Sequence, residues 1–137
     1  MIDELRHWRD HHTLDKPALR QALQTLGDEA AAYLRGVLLS AAQQYPQVIV
    51  ATHVPPFREA AWYQGSPSAD DYLPFFACKA VGDVLLEVAQ SYPECRFLVL
   101  CGHTHGSGEI QVLENLRVVT GQAEYGRPEI QQIIEVT

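Results

Sequence analysis

The sequence lacks any apolar run approaching the roughly 18 residues that a membrane span needs. A membrane-embedded role is therefore not expected. Cysteine is scarce: Cys78, Cys95 and Cys101 are an odd set with no C-x-x-C pair. This argues against a disulfide framework and fits a reducing, cytoplasmic location. Positive charge is also short, with 10 basic residues against 17 acidic ones and a net charge of -7. Such a balance disfavours nucleic-acid scaffolds and anionic membranes as partners. It leaves a phosphate substrate open, because bound cations can reverse the local field. The start, Met1 to His7, is polar and does not read as a signal peptide.

What is present is enough for one domain. The 137 residues are 47% hydrophobic and 20% charged, a globular composition that can bury a core. We read residues 1–137 as a single domain in which 1–14, charged and aromatic, form a possible docking arm. Asp15-Lys16-Pro17 resembles a helix start, with Leu19, Leu23 and Leu26 following at helical spacing. Gly27 is expected to end that helix and Asp28 to cap a second one, carrying Ala31, Leu34, Leu38 and Ala42. A strand is expected from Val48 to Thr52, then a long loop from Pro55 to Ala77. A helix from Cys78 to Ser91 turns Val81, Leu85 and Val88 inward. The strand Arg96 to Cys101 follows. Glu109–Leu113, Leu116–Thr120 and Ile130–Val136 close the chain as a β meander, with Asn115 in the turn between the first two. The fold class is α/β.

The most informative stretch is Gly102-His103-Thr104-His105, directly after the apolar run Phe97 to Cys101. Histidines at i and i+2 on extended backbone point to one side. Two neutral imidazoles at a strand end suit a divalent transition metal. His53 also ends an apolar run, Val48 to Thr52, and is followed by Val54-Pro55-Pro56. Two strands that each end in histidine point to one site at the carboxyl edge of a sheet. Isolated surface-loop histidines are the plainer reading, and the paired strand contexts argue against it. His7, His11 and His12 lack that context and read as a solvated arm.

The segments VIVATHVPPF and FLVLCGHTHGSGEI together resemble the C-terminal half of a calcineurin-like metallophosphoesterase, and LRVVTGQAEYGRPEIQQII resembles the strands that close that fold. The resemblance covers the chain from about Val48 onward. It implies half of an α-β-β-α sandwich: a mixed sheet with helices on one face. It also implies divalent metal cofactors (Mn, Fe or Zn), with His53 and His103 holding one metal and His105 the other. In such enzymes a metal pair binds the phosphate and activates the attacking water.

The family's upstream motifs are harder to find. Asp10-His11-His12 spells D-x-H but does not follow an apolar strand. Gly27-Asp28 and Gly82-Asp83 both fail the G-D-x-x-D pattern at its last position, and no G-N-H occurs. No catalytic acid is identifiable in this half. The loop aromatics Trp62, Tyr63, Tyr72, Phe75 and Phe76 fit a substrate-shaping lid, a small satellite core, or a surface for a missing half.

The expectation is a metal-dependent phosphoesterase, acting on phosphomonoesters or diesters, whose dinuclear site is incomplete in this chain. The alternative is a catalytically inactive half-domain that works as a metal-binding or protein-interaction module. Either reading anticipates a homodimer or a partner chain. Apolar strands such as Phe97–Cys101 expect cover on both faces, and the two helices can cover only one.

Overall fold

A computed structural model describes residues 16–68 and 73–136. The proposed docking arm, Asp10 to His12 and Tyr72 lie outside the described residues. Helix α1 (Lys16–Gln44) leads into strand β1 (Gln47–Ala51). The next segment holds a 3₁₀ turn (Arg58–Ala60), strands β2 (Trp62–Tyr63) and β3 (Ser66–Pro67), and one helical turn (Leu73–Phe76). Helix α2 (Lys79–Ser91) then precedes β4 (Arg96–Cys101), β5 (Gly108–Leu113) and β6 (Leu116–Thr120). This is an α/β fold with two long helices, a mixed four-stranded sheet and a small hairpin.

The sheet order is β1-β4-β6-β5. β1 and β6 both run parallel to β4, while β5 is antiparallel to β6. The β1-to-β4 connection is a crossover through α2, as parallel neighbours require. Phe97, Val99 and Cys101 stand opposite Leu116, Val118 and Thr120 in the ladder, and all six are buried. With Val50 they face the helices, and they join one core with Leu38 of α1 and Val81, Val84, Leu85 and Val88 of α2. The α2 spacing is the period of a helix that buries one stripe. The alternate strand positions form the second face of the sheet. There Ile49 is 38% exposed, and Leu98, Leu100 and Val119 are partly exposed.

Asn115 does more than make the β5–β6 turn. Its amide nitrogen donates to the carbonyls of Ala89, Tyr92 and Cys95 at 2.9, 3.1 and 3.0 Å. It thereby ties the end of α2 to the start of β4. The helices are linked by a bidentate ion pair between Arg35 and Glu87, both about half exposed.

Two expectations from the sequence are corrected. Gly27 does not end a helix: α1 runs unbroken from Lys16 to Gln44. A Cβ on Gly27 would come within 3.3 Å of the Cys78 sulfur, so the glycine lies where α1 passes close to the start of α2. Packing there offsets the cost of about 1 kcal/mol that a mid-helix glycine carries relative to alanine. Ile130–Val136 forms no strand. Ile130 and Ile133 are 86% and 84% exposed, and strand propensity without a partner ladder does not make a strand. The loop expected from Pro55 to Ala77 is also more structured than its composition suggests, since it contains the hairpin and two short helical turns.

Candidate metal-binding site

The site starts from the parallel ladder between β1 and β4. That ladder continues past both strands: Thr52 N–H donates to Leu100 O at 2.9 Å, and Gly102 N–H donates to His53 O at 3.1 Å. His53 and His103 are therefore carried out of the sheet side by side at its carboxyl edge. His53 Nε2 lies 3.0 Å from His103 Nδ1, with the rings edge-to-face and their centroids 4.8 Å apart.

The other ring nitrogen of His103, Nε2, lies 3.0 Å from the carbonyl oxygen of Phe75. A carbonyl only accepts, so this contact places the His103 proton on Nε2. Nδ1 then accepts, so His53 Nε2–H is the donor of the 3.0 Å bond between the two rings. A carbonyl holding the far nitrogen is the usual way a metal-ligating histidine is oriented. The Phe76 ring packs edge-on to His103 with centroids 5.6 Å apart.

The turn that carries these rings is strained. β4 ends at Cys101, and His103 and His105 take φ values of +69° and +62°. The premise that the two histidines share one side of an extended strand therefore fails. Thr104 N–H donates back to Gly102 O at 2.8 Å, closing a three-residue turn around His103. A positive φ at the centre of such a turn is rare, and left-handed non-glycine residues cost about 1–3 kcal/mol each. Thr104 is 4% exposed, and its hydroxyl has no hydrogen-bond partner among the described residues. Backbone strain of this kind clusters at functional sites.

The loop bearing His53 is pinned from below. Cys78 N–H donates to Pro55 O at 2.8 Å, and Pro55 and Pro56 are buried. On the far side, Gly106 N–H donates to Trp62 O at 3.1 Å. Trp62 is half-buried, its indole lies against Gly108, and its Nε1 is buried without a partner among the described residues. Tyr63 is 52% exposed on the same hairpin.

His105 is not gathered with the other two. Its ring packs edge-on to Tyr125 with centroids 4.9 Å apart. It borders a cleft of about 260 Å³ whose other walls are Gln122, Ala123, Glu124, Arg127, Glu129 and Gln131. The Gln131 side chain shapes that cleft by bonding both polar groups of the Gln122 backbone, accepting from N–H at 2.9 Å and donating to the carbonyl.

Sequence reasoning missed the Phe75 carbonyl, because a backbone acceptor leaves no residue-type signal. It also missed Gly106 and Gly108. Two glycines spaced around Ser107, directly after the histidines, were the available hint. The Cys101 thiol is buried beside Thr120 Oγ1 at 3.3 Å, and burial pushes its pKa up despite that hydrogen bond. Burial also raises the Cys95 thiol, so neither cysteine offers a ready thiolate.

Two nitrogens each ~2.0–2.1 Å from one ion stand roughly 3 Å apart when they subtend about a right angle, which the His53–His103 spacing matches. Among the described residues, no group of three or more His, Cys, Asp or Glu is placed to hold an ion. No helix there is long and apolar enough to cross a membrane. No protein-family model matches this chain, and no curated protein matches it.

Proposed function

We propose that the chain supplies His53 Nε2 and His103 Nδ1 as donors to a divalent-metal site of the calcineurin-like phosphoesterase type. The observation that carries the reading is their 3.0 Å approach at the ends of two parallel strands, with the second nitrogen of His103 held by a backbone carbonyl. A divalent ion (Mn, Fe or Zn) at such a site polarises a phosphoryl oxygen and activates water. The chain's own part is to hold the imidazoles. The Phe75 carbonyl keeps His103 in the tautomer whose Nδ1 carries a lone pair, and His53 would move its proton from Nε2 to Nδ1 to offer the second donor. The ladder bond from Gly102 to His53 keeps the two strand ends level. By the resemblance, His105 belongs to a second metal, and its separate setting beside Tyr125 is compatible with that role.

Two imidazoles are fewer donors than a stable site needs, so the reading requires further ligands. We infer that they come from a partner chain or a second copy, which would also cover the sheet face carrying Ile49, Leu98, Leu100 and Val119. The alternative is a metal-binding or protein-interaction module without catalysis. It is favoured by the lack of a three-donor group among the described residues.

The test is metal titration followed by assay of p-nitrophenyl phosphate and bis-p-nitrophenyl phosphate with Mn²⁺. We expect weak binding that His53→Ala and His103→Ala each remove, and little or no turnover by the chain alone. Metal affinity unchanged in both variants would overturn the site. Robust turnover abolished by His103→Ala would show that other residues complete the centre.

A further inference from the structure

The left-handed conformations of His103 and His105 need something outside the turn to enforce them. On one side the turn is held by the sheet, through Gly102 N–H to His53 O. On the other side Ala123 N–H reaches His105 O at 3.4 Å, and Gly106 N–H donates to Trp62 O at 3.1 Å in the β2–β3 hairpin. A Cβ on Gly106 would stand 2.4 Å from Trp62 O. A Cβ on Gly108 would stand 2.1–2.3 Å from three indole atoms. The Trp62 backbone and ring thus fill the space that any side chain at 106 or 108 would need.

Trp62 is itself firmly placed. The hairpin pairs Trp62 with Pro67 and Tyr63 with Ser66. Its tip, Gln64-Gly65, has φ values of +49° and +82°, the signs of a two-residue turn that matches strand twist. Ser68 closes the hairpin, donating to Ala61 O from both N–H and Oγ at 2.8 Å. Ala60, two residues before Trp62, is fully buried and accepts from Thr120 Oγ1 at 2.7 Å. An unbroken set of contacts runs from the end of β6, through Ala60 and Trp62, to the histidine turn.

We propose that Trp62 is the positioning residue of the histidine turn: its indole, packed on Gly108, holds His103 and His105 in left-handed backbone. The proposal deepens the metal-site reading, and rests on it where affinity is concerned. Trp62 touches no reacting atom. Its unpartnered Nε1 means that replacement by phenylalanine removes ring area without removing a hydrogen bond among the described residues.

The test uses the full chain with Trp62→Ala and Trp62→Phe, and His103→Ala as the control that removes a donor. Two readouts are taken on each. The first is NMR: Cα and Cβ shifts and the HN–Hα coupling of His103 and His105, which report the sign of φ with no metal present. The second is Co²⁺ titration followed by visible absorption. The expected result is that Trp62→Ala erases the left-handed signature and weakens Co²⁺ binding at least tenfold, while Trp62→Phe restores the signature and most of the affinity. Unchanged histidine shifts in Trp62→Ala, in a chain that still melts cooperatively, overturn the positioning role whatever the metal does. Loss of the signature in a protein whose wild type takes up no Co²⁺ upholds positioning and instead defeats the metal reading. Should Trp62→Ala fail to fold, Trp62→Phe and Gly108→Ala carry the same comparison. Gly108→Ala must then displace the indole and shift both histidines, and unshifted histidines in it overturn the proposal.

Discussion

Gly82, in the first half of α2, lies directly beneath Pro56: a Cβ on this glycine would stand 2.2 Å from the Pro56 carbonyl oxygen and 3.0 Å from the Phe57 ring. The glycine is a cavity for the loop that carries His53. Its helical cost is offset by the approach it permits, and the loop is the means by which α2 reaches the candidate site.

Gly82→Ala should therefore act at a distance. The clash is with backbone, which cannot swing away as a side chain can. We expect destabilisation of about 1–3 kcal/mol, the range for overpacking a filled core. We also expect a displaced His53 imidazole resonance. Denaturant unfolding and a histidine-resolved NMR spectrum check both. An alanine variant as stable as wild type would show that the loop is loose.

Asn115→Ala should be among the most costly single changes outside the apolar core. It removes the amide that serves three carbonyls, one of them near the end of α2. Leaving buried acceptors without partners costs about 1–3 kcal/mol. Asn115→Asp should be no better, because a carboxylate cannot donate to a carbonyl. The midpoint of chemical unfolding, compared across the two variants, decides it.

His105→Gly and His105→Ala separate backbone strain from side-chain loss. Both remove the ring and its contact with Tyr125, but only alanine must hold φ near +62° at a steric cost. The glycine variant should be more stable than the alanine variant by about 1 kcal/mol. Equal stabilities would mean that the turn relaxes to a negative φ once the imidazole is gone.

The buried thiols give a pH dependence. Burial raises Cys95 and Cys101 above their ordinary value of 9.0, so the unfolded chain loses these protons first as pH rises. Between the unfolded and folded pKa values the native state binds more protons, and stability falls with increasing pH. The contribution is fully present below that ordinary value and is lost as pH rises past it toward the folded values. Cys101→Ala should flatten that decline, measured as melting temperature from pH 8 upward. Thiol labelling of the native protein near neutral pH should reach Cys78, which is partly exposed, before either buried cysteine.

Much of the framework was legible from residue order. The strands of the sheet follow from short apolar runs bounded by glycine, asparagine and proline, and their observed bounds shift by no more than a residue or so. The inward stripe of α2 follows from helical period, with Val81, Leu85 and Val88 buried as their spacing requires. His53 and His103 were singled out because each ends such a run, and strand ends of parallel neighbours meet at one edge. These are local signals, carried by periodicity and by residues whose chemistry is rare on an apolar strand.

The rest depended on neighbours distant in sequence. Gly27 carries the same local stop signal whether or not α2 packs beside it, and in the fold the helix runs on through it with the Cys78 sulfur close by. Ile130 to Val136 has the composition of a strand, yet a strand exists only where a second strand offers its backbone. The turn at His103 looked extended because histidine rarely takes a positive φ, and the hairpin holding Gly106 lies some forty residues earlier in the chain, beyond the reach of any local propensity. The sequence by itself determined which segments are apolar and which side chains can carry chemistry. Tertiary structure alone decided which segments found partners, because burial and backbone pairing are properties of two surfaces and not of one.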